Sequence, residues 1–356
     1  MEIKMMPARP EQLKKKPADE SKLGFGDIFT DHMFLMDYEK GKGWVNARIE
    51  PYRLLSLDPA AMVLHYGQEV FEGLKAYRGK DGSLYLFRAR DNFVRMNRSA
   101  VRVCMPEVDP DFGVDALKQL ILLDRDWVPK SPGTSLYIRP TMIAVEPHLG
   151  VRPAHSYLFY IIVGPVGAYY KEGLNPVKIY VEDKYIRAAL GGLGEAKTVA
   201  NYAASLLAAE EAKQKGFTQV LWLDAKERKF VEEVGTMNMF FVIGDEVITA
   251  PLTGSILPGI TRDSVIQIVR KWGIKMSERS LSIGEVIAAA RQGTLKEAFG
   301  TGTAAVISPV GQITYKGADY IVAGGKMGDL SRKLYNEIVA IQYGEKDDPY
   351  GWRLKV

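Results

Sequence analysis

The stretch Glu195-Ala196-Lys197-Thr198-Val199-Ala200-Asn201-Tyr202 follows the glycines Gly191, Gly192 and Gly194, leads into an Ala/Leu-rich run, and decides how this 356-residue chain is read. The glycines predict a loop, and the run over 199–215 predicts a helix. Positions five apart on a continuous helix point about 140° apart, from 3.6 residues per turn. Lys197 and Tyr202 can therefore serve one ligand only if Lys197 lies in the loop and Tyr202 in the first helical turns, as the glycines permit. An amine placed there can form a Schiff base with an aldehyde, and a nearby phenol can hydrogen-bond an oxygen of the same ligand.

Outward from that stretch the pattern is mixed. Downstream, strands are predicted over 218–224, 230–234, 237–243 and 247–250, joined by short turns such as Gly244-Asp245-Glu246, with helices after Pro258 and over 329–343. Upstream, a helix over 91–104 is expected to be capped by Asp91 and to turn Phe93, Met96 and Ala100 inward. A second, over 114–124, has Leu117, Leu120 and Ile121 on one face. Strands are predicted over 136–144, 157–163 and 177–181, rich in β-branched and aromatic residues. This is α/β of the mixed kind, without the regular βαβ alternation of a doubly wound sheet. The expected division is a first domain over 1–171, opening with a loose polar arm over 1–22, then a linker over 172–184 and a second domain over 185–356.

Composition excludes several function classes. The net charge of +4 comes from 47 basic and 43 acidic residues, and the one basic run, Lys14-Lys15-Lys16, is flanked by Pro17 and acidic residues, so nucleic acid is not an expected partner. Cys104 is the single cysteine and the histidines number four, which leaves no disulfide and no metal-ligand cluster and suits a reducing cytosol. No continuous apolar leader opens the chain, and the most apolar stretch, 157–170, is broken by Gly164, Pro165 and Gly167, so no membrane span is expected.

Five further motifs carry chemistry. In Glu232-Glu233-Val-Gly-Thr236-Met-Asn238, strand alternation sends the two carboxylates to opposite faces, so one can be solvated while the other points inward; the pattern alone does not choose between them. Leu257-Pro258-Gly259-Ile260-Thr261 reads as a helix start, with Thr261 or a neighbour as cap, whose N–H groups suit a phosphate. Gly300-Thr301-Gly302-Thr303-Ala304 lets backbone amides approach an anion. Arg95, Arg98 and Arg102 recur at helical spacing, ordinarily one solvated stripe. Tyr137 and Arg139 share a strand face, with Leu136 and Ile138 on the other.

Together these segments resemble the branched-chain amino-acid aminotransferases of pyridoxal-phosphate fold type IV, and the resemblance runs from Phe25-Gly26 to Gly351-Trp352. It implies a small N-terminal α/β domain and a larger C-terminal pseudobarrel domain, with pyridoxal 5'-phosphate as cofactor. It also implies a homodimer in which the partner's small domain helps close each active site. Lys197 is then the residue that carries the cofactor. Arg95, Arg187, Tyr202, Glu233, Thr236, Leu257, Gly259, Ile260, Thr261 and Thr303 are implied around it, with Glu233 selected over Glu232 as the partner of the pyridinium nitrogen. For substrate the resemblance implies Phe25, Tyr66, Phe71, Tyr137, Arg139, Tyr169, Thr303 and Ala304, with Arg139 and Tyr137 at the distal carboxylate of glutamate or 2-oxoglutarate.

The activity implied is cytoplasmic transfer of amino groups from L-leucine, L-isoleucine and L-valine to 2-oxoglutarate, by a ping-pong mechanism that yields L-glutamate and the 2-oxo acids. D-amino-acid aminotransferases and aminodeoxychorismate lyases share the cofactor set and differ in the pocket. A non-catalytic relative is the remaining alternative, and the intact Lys197, Tyr202, Glu233 and Thr303 set stands against it. The chain departs from the pattern at Ala305 and Ser308, where animal members have a Cys-x-x-Cys pair, which excludes thiol regulation of that kind. It departs again at Thr198-Val-Ala-Asn201, where a pair of glycines is usual before Asn-Tyr.

Overall fold

In the computed structural model, which describes residues 1–167 and 174–356, the chain builds two nine-stranded sheets. Each lies in its own compact unit. One unit takes Met1–Tyr169, Ala196–Val199 and Ala340–Val356, the other Tyr170–Glu195 and Ala200–Val339.

The first sheet contains β1 (Lys4–Met5), β2 (His32–Glu39), β3 (Gly43–Pro51), β4 (Glu69–Phe71), β5 (Leu74–Arg78), β6 (Leu84–Phe87), β7 (Ser135–Ala144), β8 (Ser156–Val166) and the C-terminal strand Arg353–Lys355. They run in the order β1-β3-β2-β8-β7-β5-β6 and then the C-terminal strand, with β4 also on β7. The antiparallel β7–β8 ladder is long because both strands alternate apolar residues toward one face. Leu136, Ile138 and Met142 of β7 and Phe159, Ile161 and Val163 of β8 are buried in one core. That core also takes Phe93, Met96 and Ala100 of α2 (Ala89–Arg102) and Leu117, Leu120 and Ile121 of α3 (Pro110–Leu123). Burying each of the leucine, isoleucine, valine, methionine and phenylalanine side chains is worth about 1.5–3 kcal/mol. The opposite face of β7 presents Tyr137 and Arg139, half-buried.

Local chemistry sets the helix ends. Asp109 caps α3 by accepting the N–H groups of Asp111 and Phe112, with Pro110 in the first turn. Helix α2 starts earlier than expected. Its cap is Arg88, in the left-handed region at φ 51°, where the chain turns out of β6, and Asp91 lies inside the first turn, where it accepts from Arg88 Nε at 2.6 Å. The segment 1–22 is not loose. Lys4 and Met5 pair with β3, the Ala8 N–H reaches His32 Nε2 at 2.9 Å, Lys14 N reaches Asp31 Oδ1 at 2.7 Å, and Glu20 accepts from the amides of Lys130 and Ser131. Polar composition predicted solvation, and these hydrogen bonds tie the segment down while leaving most of its side chains exposed.

The second sheet contains β9 (Val177–Glu182), β10 (Gln219–Leu223), β11 (Val231–Val234), β12 (Met237–Ile243), β13 (Glu246–Thr249), β14 (Lys275–Glu278), β15 (Leu295–Gly302), β16 (Val306–Tyr315) and β17 (Ala318–Ile321). Strand β9 overlaps the expected linker. The order is β11-β10-β9-β16-β15-β12-β13-β14, and a further β11–β12 pairing closes β11, β10, β9, β16, β15 and β12 into a ring. Parallel pairs (β9–β10, β9–β16, β13–β14) mix with antiparallel ones, so the fold is mixed α/β with a barrel-like sheet. The remaining helices are α1 (Met62–Tyr66), α4 (Val199–Gln214), α5 (Ile260–Lys271), α6 (Ile283–Arg291) and α7 (Asp329–Gln342). Among the described residues no helix is long and apolar enough to cross a membrane.

Candidate active site

In the first unit, four of the residues singled out from the sequence gather around one phenylalanine. Phe71, at the end of β4 and buried, has Lys197 Nζ 4.9 Å and Arg139 Cζ 4.5 Å from its ring centre. Two cations thus share one aromatic side chain. Arg139 Nη2 donates to the Tyr137 hydroxyl at 3.0 Å, and Phe25 meets the Tyr137 ring edge-on at 4.8 Å. Gly73 leaves room for that hydroxyl, since a β-carbon there would lie 2.2 Å from it. The buried Nε of Arg139 donates to nothing among the described residues, and an unmet donor of this kind marks a place for an acceptor. Burial pushes the nearby Glu69 carboxyl up, and the Arg139 charge opposes that shift.

Helix α2 supplies the next layer. Arg95 is 6 % exposed and Glu72 is 0 % exposed, and they meet through two bonds, Nε to Oε1 at 2.7 Å and Nη2 to Oε2 at 2.8 Å. Arg98 and Arg102 are exposed, so the three arginines are not one solvated stripe. Lys197 precedes α4 and Tyr202 lies in its first turn, both half-buried, which is the loop-then-helix placement the spacing requires.

In the second unit the corresponding centre is Glu233 on β11, 3 % exposed. Its register partner on β12 is Asn238, whose own partner on β15 is Thr301, so the three side chains share a face. Glu233 Oε1 accepts from Leu257 N at 2.9 Å and from Asn238 Nδ2 at 3.3 Å. Glu233 Oε2 lies 3.0 Å from Arg187 Nε, an ion pair at an angle outside hydrogen-bond geometry. Arg187 is anchored by Nη2, which donates to the carbonyls of Gly194 (2.9 Å) and Ser255 (2.7 Å). Strand alternation holds, since Glu232 points the other way, but it is not solvated either. Because β11 is paired on both edges within the ring, Glu232 is also buried. It accepts the Ser255 hydroxyl, burial pushes its carboxyl up, and it lines a separate cavity of about 470 Å³ with Asp224 and Phe230.

Helix α5 begins beside this cluster. Its cap is Gly259, which offers no side-chain bond, and Ile260 and Thr261 form the first turn. A β-carbon at Gly259 would lie 1.9 Å from Asn238 Oδ1, so glycine is required there by the close approach. Thr303 and Ala304 occupy the half-buried turn between β15 and β16, and Thr236 the exposed turn between β11 and β12. Tyr66 is 40 % exposed on α1, where its hydroxyl donates to the Leu149 carbonyl. Tyr169 lies outside the described residues.

Sequence reasoning passed over Glu72, Ser99, Asn238 and Thr301. Asn238 stood inside a quoted motif, and Ser99 stands one helical turn after Arg95. A polar residue at helical spacing from a buried arginine was the available signal.

Comparison with known proteins agrees across both units. The class IV amino-transferase family matches residues 69–313. The branched-chain-amino-acid transaminase 1 of Bacillus subtilis is 56 % identical over 344 residues, 96 % of each chain. The branched-chain aminotransferase of the archaeon Thermoproteus uzoniensis, solved with norvaline, superposes with a TM-score of 0.76 at 26 % identity, over 91 % of this chain and 99 % of that one. The PLP-form of the Thermobaculum terrenum branched-chain aminotransferase superposes with a TM-score of 0.73 at 25 % identity, over 90 % and 97 %.

Proposed function

The chain belongs to the class IV amino-transferases, among the branched-chain-amino-acid aminotransferases, and from that premise we propose how its own residues carry out the transfer. The reaction is the exchange of an amino group between L-leucine, L-isoleucine or L-valine and 2-oxoglutarate, with pyridoxal 5'-phosphate as cofactor. The observation that carries the reading is the contact of Phe71 with both Lys197 and Arg139, which puts an amine, an apolar wall and a carboxylate receptor in one place.

The residues present fit the cofactor. Its phosphate suits the glycine-capped start of α5 at Gly259 and Ile260, and its ring nitrogen suits the buried carboxylate of Glu233. Thr301 Oγ1 is a buried polar atom without a partner among the described residues on the same sheet face as Glu233, a further mark of a polar ligand. Lys197 would hold the cofactor covalently, with Arg95, Tyr202, Thr236, Leu257, Thr261 and Thr303 around it. When bound, the cofactor supplies an aldehyde for the amino group and a ring that accepts the electron pair left at the substrate Cα.

The chain does the rest. Lys197 Nζ would move the proton off the substrate Cα. Glu233 keeps a proton on the ring nitrogen, and Arg187 supplies the counter-charge that a buried carboxylate requires. Phe25, Phe71 and Tyr137 shield an aliphatic side chain from water, while Arg139 receives the second carboxylate of glutamate, because a guanidinium grips a carboxylate with parallel donors. Tyr66, Tyr169 and Ala304 complete the substrate set. The enzyme works as a cytoplasmic homodimer. The test is isotope transfer: with ¹⁵N-leucine and 2-oxoglutarate the label appears in L-glutamate, and D-leucine gives none. Label transfer from D-leucine and not from L-leucine would overturn the reading.

A further inference from the structure

Ser99 is fully buried on α2, one turn beyond Arg95. Its hydroxyl donates to the Arg95 carbonyl at 3.1 Å and accepts the backbone N–H of Lys197 at 2.8 Å. A serine hydroxyl has one proton and two lone pairs, so fixing the proton on Arg95 aims the oxygen at Lys197. The other side of the same residue is held as well. Lys197 O accepts from Phe71 N at 3.2 Å, and Thr198 bridges Val70. Phe71 leads directly into Glu72, which grips the guanidinium of Arg95. The contacts close a circuit from Lys197 through Ser99, Arg95, Glu72 and Phe71 back to Lys197, all within the first unit. Lys197 belongs to neither a helix nor a strand, so these contacts, not a regular ladder, fix its peptide.

We propose that Ser99 is a positioning residue for Lys197, holding its backbone so that the amine stays in register with the substrate Cα during the interval when Lys197 is no longer attached to the cofactor. This rests on the reading of Lys197 as the nucleophile. While attached, the side chain is fixed at both ends. Once displaced, the reach of the amine depends on where that backbone is held, and a misplacement of about 1 Å can cost on the order of a hundredfold in rate. The hydroxyl therefore matters for the proton-moving steps, which govern kcat, and little for substrate binding.

The test compares wild type, Ser99→Ala and Lys197→Ala as holoenzymes, by steady-state kinetics and by hydrogen–deuterium exchange at the Lys197 amide. In wild type that amide is protected. In Ser99→Ala it exchanges on the order of tenfold faster, the scale of one lost hydrogen bond, and kcat falls by about the same factor with KM within about twofold. The proposal is overturned by a wild-type Lys197 amide that exchanges unprotected, by wild-type kcat in Ser99→Ala, by a loss confined to KM, or by a kcat loss with unchanged exchange. Should Ser99→Ala not fold, the wild-type exchange rate decides alone. Full turnover by Lys197→Ala would instead remove the nucleophile assignment itself, and an inactive Lys197→Ala with unaffected Ser99→Ala would remove only the role of Ser99.

Discussion

Replacing Arg139 with methionine should separate the two kinds of substrate this pocket has to accept. The guanidinium lies 4.5 Å from the Phe71 ring centre and gives one donor to Tyr137, and its buried Nε meets no acceptor among the described residues. Methionine keeps much of the side-chain volume and an apolar contact with Phe71 but removes every donor and the charge. A hydrogen bond to a charged group is worth about 1.5–3 kcal/mol, and 1.4 kcal/mol is a factor of ten, so losing the arginine should lower kcat/KM for 2-oxoglutarate and L-glutamate about 10- to 150-fold. For L-leucine and its oxo acid, which have no second carboxylate for the guanidinium to receive, kcat/KM should change far less. The assay is the two half-reactions run separately, each followed by the cofactor's absorbance, so that neither substrate masks the other. Equal losses for glutamate and leucine would instead place Arg139 at the α-carboxylate common to both, or in a purely structural role.

Three further outcomes follow from single contacts. Lys197→Ala should lose transamination and the visible band of the lysine-linked cofactor while its circular dichroism stays that of wild type; a band at wild-type intensity would contradict it. Glu233→Gln should retain cofactor and turn over more slowly, because an amide no longer favours a protonated ring nitrogen; unchanged turnover would remove Glu233 from the mechanism. Arg152, by two bonds, and the His155 amide hold the Glu146 carboxyl down to about 2 from its usual 4.5. A folded-state value below the unfolded one adds stability above pH 4.5 that is lost as pH falls toward 2. Denaturant titrations of Glu146→Gln should therefore show a deficit against wild type at pH 7 that closes by about pH 2, and a deficit of constant size would contradict the assignment.

Periodicity made the helices and the long strands legible, because burial on one face leaves a pattern at 3.6 or 2 residues. Leu136 and Ile138 lie in the core and Tyr137 and Arg139 on the opposite face of β7, as alternation required. Short strands such as β4 carry too few residues for a pattern, yet β4 places Phe71 and Glu72. The start of α2 was hidden because Arg88 adopts a left-handed conformation that composition does not announce. At the site, motif spacing picked out Lys197 and Tyr202 and the resemblance selected Glu233, but neither gave the pairings that support them. The Arg95–Glu72 and Arg187–Glu233 pairs join residues 23 and 46 positions apart, and only the folded chain brings such pairs together. Nothing in the alternation of β11 separated Glu232 from Glu233, since both are buried and only their partners differ.

By this mechanism one cofactor-loaded chain takes the amino group from leucine and holds it until an acceptor arrives. Mixing the holoenzyme with L-leucine alone, with no oxo acid present, tests this directly. The visible band should disappear as one equivalent of 4-methyl-2-oxopentanoate forms per active site, and 2-oxoglutarate added after free L-leucine has been removed should restore the band and release one equivalent of L-glutamate. A band that stays unchanged, with no oxo acid formed until both substrates are present, would contradict the account.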